Sequence, residues 1–277
     1  MYKSHWFQES RIRALILIYI FVIAWWFLIY FRGIHETSEN YSFSLVYSIM
    51  PLFWGFLGFL NARRWGGVRS SMGRAVTFLS AGLFSWGIGN LIFAYYNLIL
   101  QVSIPYPSFA DAGFILLYPL SAIGIMYFFR VTGATFGLRH MSGKIALLII
   151  PLSLIFLSYY LLFIVARGGV ITYEGDILKL VLDIGYPVGD VVVITLAAVV
   201  YWLSYKFLGG KFKKPIILII IGFVSTYIAD FLFSYTTTVG TYFVGMWVDI
   251  FYPTAFLFIG LGLSLLDPRS LSNKSSE

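Results

Sequence analysis

Apolar residues fill this chain in long blocks, and the short segments between them collect most of its charge. Each block holds about twenty residues, the length a helix needs to cross a hydrocarbon layer roughly 30 Å thick. The blocks predict eight membrane-spanning helices, over 13–31, 42–60, 75–100, 109–129, 145–166, 178–205, 215–237 and 241–266, numbered spans 1 to 8. Residues 267–277 form a short tail past the last of them. No connection exceeds about fifteen residues, so a single transmembrane domain over 1–277 is expected. The fold class is all-α, a polytopic membrane protein with eight transmembrane helices.

Composition agrees with this pattern. With 60% hydrophobic residues, 11% charged and a mean hydropathy of +0.86, an ordinary soluble domain is excluded. The 27 Phe, 20 Tyr and 8 Trp exceed what interfacial belts alone require, which predicts rings lining the interior. The sequence has no cysteine, which removes disulfides, thiol nucleophiles and cysteine-based metal sites. Its three histidines, His5, His35 and His140, fall in the tail or loops, so neither a metal nor a cofactor is expected.

The net charge of +7 raises the question of nucleic acid, and its distribution answers it. Three basic residues precede span 1 (Lys3, Arg11, Arg13). Loop 2–3 carries Arg63, Arg64, Arg69 and Arg74, loop 4–5 carries Arg130, Arg139 and Lys144, and loop 6–7 carries Lys206, Lys211, Lys213 and Lys214. Arg269 and Lys274 follow span 8. The alternate loops keep only Arg32, Arg167 and Lys179. Such alternation is a topology signal, so both termini are expected in the cytoplasm of a multi-pass cell-membrane protein, with lipids and not nucleic acid as partners. The first apolar run lacks a small-residue cleavage site, and no cleavable signal peptide is expected.

An internal repeat is also expected. Gly82, Ser85, Asn90, Phe93 and Tyr95 of span 3 match Gly222, Ser225, Asp230, Phe233 and Tyr235 of span 7 at an offset of 140. Asp111 and Gly124 of span 4 match Asp249 and Gly262 of span 8 at an offset of 138, whereas spans 2 and 6 match poorly. Four spans separate the copies, which predicts a parallel 4+4 repeat with halves over about 13–131 and 145–266.

The chemistry lies in the polar residues inside the apolar blocks. Span 6 carries Asp183 and Asp190 with Tyr186-Pro187 between them, and Asp111, Asp230, Asp249 and the amide Asn90 lie in or at the edge of other spans. A carboxylate in hydrocarbon is costly and usually faces a bundle interior or a wet cavity. With the expected topology all six fall in the outer half, which points to an outward-opening acidic pocket near the repeat interface. No Lys or Arg is expected at matching depth, the nearest being Lys179, one turn before Asp183. Tyr186 and Tyr252 offer hydroxyl donors, and Trp86, Trp247 and Tyr227 offer ring faces for an ammonium group. The candidate ligand-binding residues are therefore Asn90, Asp111, Asp183, Tyr186, Asp190, Asp230, Asp249 and Tyr252, with a cationic small molecule or lipid headgroup as the ligand. Against this stands a plainer reading, in which each buried Asp only ties helices together. The prolines at 119, 187 and 253 equally need no role beyond shaping spans. Catalytic histidine motifs and a lysine in span 8 are absent.

The stretch Tyr106-Pro-Ser-Phe-Ala-Asp111-Ala-Gly-Phe-Ile-Leu-Leu-Tyr118-Pro119, continued by Asp183-x-x-Tyr186-Pro187-x-x-Asp190, Asp230 and Asp249, resembles a family of prokaryotic sensor regions. These are the polytopic N-terminal membrane sensors found ahead of diguanylate-cyclase and histidine-kinase output domains. The resemblance implies a membrane-embedded sensory or ligand-binding module. No output domain follows Leu266 in this sequence, so signalling through a separate partner protein is expected. A weaker similarity is to lysoplasmalogenase-like membrane hydrolases, which would make the Asp cluster an acid/base pair acting on a lipid headgroup. A proton- or cation-coupled carrier is the third reading, suggested by the repeat and by Asp190 near mid-depth.

Overall fold

The computed structural model describes residues 2–33, 35, 37–102, 104–170, 176–205 and 210–269. Lys206, Lys274 and residues 270–277 of the expected tail lie outside the described residues, as do the side chains of Lys3, Arg11 and Lys211. Among the described residues eight helices are long and apolar enough to cross a membrane: Ile12–Phe31, Ser38–Arg64, Ser71–Ile99, Phe109–Val131, Met141–Val165, Ile177–Ser204, Phe212–Thr238 and Trp247–Leu265. They are spans 1 to 8 in order, and all the regular structure described is helical.

Local chemistry sets the helix ends. Ser70 Oγ accepts from Gly73 N at 2.9 Å to open span 3, and Asp176 accepts from the backbone of Leu178 and Lys179 to open span 6. Span 4 is broken at Leu116, with Pro119 in the first turn of its second segment, where a missing N–H costs nothing. The largest departure from expectation is at span 8. Residues 241–246 form a loop, and the span starts at Trp247 with a 3₁₀ turn before the helix Phe251–Leu265.

Spans 2, 3 and 8 supply the most buried side chains: Phe43, Met50 and Trp54, then Leu79 and Leu83, then Phe256, Ile259 and Leu263. In a membrane, helices associate through close packing at small residues. Gly82 approaches the Leu117 carbonyl and Ser121, as Gly222 approaches the Ala255 carbonyl and Ile259. Gly124 meets Ala75 and Leu79, as Gly262 meets Pro215 and Ile219. Each contact in the second half sits at the first half's positions plus 140 in spans 3 and 7, or plus 138 in spans 4 and 8. Span 4 also packs against span 6 while span 8 packs against span 2, the exchange that a two-fold axis between halves would produce.

Loops 3–4, 5–6 and 7–8 meet at one end of the bundle, where Tyr106, Arg167 and Tyr242 line a common cavity. At the other, terminal end the last turns of spans 2 and 8 are tied together. Asn61 Nδ2 donates to Leu263 O at 3.0 Å, Trp65 Nε1 donates to Leu266 O at 2.6 Å, and Arg64 pairs with Asp267. If the basic loops set orientation, a reporter fused after residue 274 should read cytoplasmic and one inserted at residue 103 external; the reverse pattern would place the other end outward.

Candidate functional site: an acidic, aromatic-walled cavity

A cavity of about 580 Å³ lies among spans 2 to 8, with Leu162 the contribution of span 5. Its wall runs from the loop residues Pro105, Tyr106, Arg167, Tyr242 and Val244 down to Trp86, Asp190 and Tyr252. The volume suits a small organic molecule. Asn90, Asp111, Asp183, Tyr186, Asp190, Asp230 and Tyr252 all line it. Asp249 does not. Nor do Trp247 and Tyr227: Trp247 is partly exposed outside the cavity, and Tyr227 is turned toward span 5, where its hydroxyl bonds Ser158 at 2.8 Å.

The wall is organised by tyrosine–carboxylate pairs. Tyr106 OH donates to Asp183 at 3.0 Å, Tyr186 OH to Asp111 at 2.8 Å, and Tyr118 OH and Tyr252 OH to the two oxygens of Asp230, each at 2.8 Å. Every Tyr-Pro dipeptide in the sequence takes part: Tyr106-Pro107, Tyr118-Pro119, Tyr186-Pro187 and Tyr252-Pro253. Phenol-to-carboxylate bonds are charge-assisted and hold both partners in place. At the loop end, burial and the Asp183 carboxylate push the Tyr106 phenol above its ordinary range, so it stays a donor. Burial and then Asp249 do the same to Tyr242.

Two of the carboxylates do helix-start work. Asp111 Oδ2 accepts from Ser108 N at 2.7 Å and Ser108 Oγ at 3.0 Å, closing a capping box, while its other oxygen takes Tyr186. Asp249 Oδ2 accepts from Gly245 N at 2.7 Å and Oδ1 from Tyr242 OH at 2.9 Å. Gly245 is held at φ +89°, where a Cβ would be strained, and that geometry aims its N–H at Asp249. The expectation that Asp249 binds ligand is therefore corrected: it is buried behind Tyr242, and both oxygens are engaged by its own loop. Asp249→Ala should cost about 1–3 kcal/mol of stability by stripping the acceptor from two donors. Thermal unfolding checks the cost, and ligand affinity should change little.

Asn90 is also fixed by structure. Its Nδ2 donates to Ser44 O at 2.8 Å and to Ser48 Oγ, locking spans 2 and 3 together. It lines the same cavity as Asp230, its counterpart in the repeat, but spends its donors on span 2. A second correction concerns basic residues. Arg167 lines the cavity near its loop end and lies 3.5 Å from Asp183, so Asp183 has a cationic neighbour beyond Lys179.

Asp190 and Asp230 remain. Both line the cavity, one from span 6 and one from span 7, and among the described residues no Lys or Arg other than Arg167 lines it. Asp190 is 4% exposed, and its Oδ2 has no hydrogen-bond partner. Gly189 makes room for this arrangement, since a Cβ there would strike the Tyr118 ring that reaches Asp230. Trp86 stands beside the pair, with its ring centroid 5.6 Å from Tyr252 and 5.3 Å from Phe114. Comparison with protein-family models, curated proteins and solved structures finds no match to this chain. The site must be read from its own chemistry. Among the described residues no group of three His, Asp or Glu side chains is placed to hold a metal ion. A carboxyl pair against aromatic faces is instead suited to an ammonium group.

Proposed function

We propose that this protein is a membrane-embedded ligand-binding module whose cavity takes a small organic cation, either free or as the headgroup of an amphiphile. The carrying observation is the Asp190–Asp230 pair, walled by Trp86, Tyr118 and Tyr252, with Arg167 engaged near the loop end by Asp183. Carboxyls with no fixed counter-charge beside them favour an incoming cation, and ring faces add attraction for an ammonium group. With the topology the basic loops suggest, the cavity opens outward, as a sensor of external amines requires. A separate output protein would then read occupancy at the terminal end. The sensory part of this reading rests on the sequence resemblance.

Thermal stabilisation of the full chain in detergent tests binding. Choline, phenethylamine, lysophosphatidylcholine and calcium chloride would be compared. Stabilisation by the free amines supports a soluble ligand, and stabilisation by the lysolipid alone supports a headgroup. A response to calcium alone, or to none of the four, would contradict the proposal. The carboxyl pair also favours a second reading, because neighbouring carboxyls with phenol donors can divide acid and base roles. Release of headgroup from a lysolipid on incubation with the protein would move the assignment to a hydrolase.

A further inference from the structure

We propose that the cation enters by exchange: binding at the Asp190–Asp230 pair expels one proton from it. This inference rests on the cation-binding reading above and deepens it. Asp190 and Asp230 line one cavity and Asp190 is buried, and two like charges sharing a desolvated site disfavour each other, so the empty site holds a proton. Asp230 already receives a phenol on each oxygen, from Tyr118 and Tyr252, so both of its oxygens are occupied as acceptors. Among the described residues no tyrosine donates to Asp190 and its Oδ2 has no partner, which leaves Asp190 to carry the proton. An ammonium group beside the pair would supply the positive charge that the proton supplies in the empty site. Asp190–COOH then becomes Asp190–COO⁻ paired with the cation, and the proton leaves to solvent.

Among the described residues the surroundings offer no other ready source of that proton. Span 4 presents the Tyr118 phenol and, higher up, Asp111 held by Tyr186. Span 8 presents Tyr252, and span 7 presents Tyr227, whose hydroxyl is occupied with Ser158 of span 5. Asp183, one helix segment toward the loops, is already beside Arg167.

Choline is the probe of choice because a quaternary ammonium has no titratable proton, so any pH dependence belongs to the protein. Isothermal titration of the full chain in two buffers of different ionisation heat counts the protons released. The wild type should release about one proton per choline, with affinity rising roughly tenfold per pH unit while the pair still holds its proton. Asp190→Asn keeps an amide donor for Asp230 but has no proton to lose, so it should bind choline with no proton release and a flat pH profile. Wild-type binding without proton release would overturn the exchange and leave cation binding standing. Proton release that persists in Asp190→Asn would also overturn it, by locating the proton elsewhere. If neither choline nor lysophosphatidylcholine, which carries the same quaternary ammonium, binds to the folded wild type, the binding reading falls and the exchange with it. The wild-type buffer comparison decides the matter alone if the variant does not fold.

Discussion

Asp230→Asn should lower choline affinity at least about thirtyfold, the largest loss expected of any conservative change in the cavity. Removing one partner of a desolvated charge pair costs about 2–5 kcal/mol, and the lower figure already corresponds to that factor. Asp230 is singled out because both of its oxygens are held in place by phenols from different spans, which presents a fixed anion to the ligand. Tyr118→Phe and Tyr252→Phe should each cost less, since either leaves the other phenol in position. Titration of choline into the variant, with thermal unfolding as a control for folding, gives the answer. An affinity within a few-fold of wild type would show that Asp230 is not the anchor.

The second large effect concerns packing. Gly113→Ala should destabilise the protein by about 1–3 kcal/mol, the range for forcing an extra methyl into a filled interface. An ideal Cβ on Gly113 would lie 2.6 Å from Gly89 Cα and N, so backbone of span 3 would have to move. Gly113 also sits two residues after Asp111, and that movement would disturb the helix start that orients Tyr186. Gly185→Ala is the control: its nearest neighbour would be Ile115 Cδ1 at 3.4 Å, an ordinary contact. Equal unfolding temperatures for the two variants would contradict this picture of the span 3–span 4 interface.

The eight spans were legible in the sequence because apolar length is a direct consequence of bilayer thickness, and the acidic cluster was legible because carboxylates stand out in apolar blocks. The work each carboxylate does was harder to read. Asp249 looked like a wall residue while 241–266 was read as one continuous helix. The helix begins six residues later, which moves Asp249 to a helix start, where capping is the natural use of its oxygens. Hydropathy gives span ends poorly, and one turn of error changes a side chain's role. Arg167 was counted only as a loop charge, and its approach to Asp183 depends on how loop 5–6 meets span 6. Trp247 and Tyr227 were misplaced because packing, not composition, sets the rotation of a helix about its axis. The recurring Tyr-Pro dipeptides were a legible signal: all four phenols reach carboxylates. Their partners lie from 22 residues away, for Tyr252, to 112, for Tyr118, so the dipeptide marks the donor without naming its acceptor.

An experimental structure of the protein with bound choline tests the central claim most directly. The account predicts the trimethylammonium group beside Asp190 and Asp230, within about 6 Å of the ring centroid of Trp86, Tyr118 or Tyr252, with Tyr118 and Tyr252 still on Asp230. Choline bound elsewhere, with the cavity between Asp190 and Trp86 closed by side chains, would contradict it.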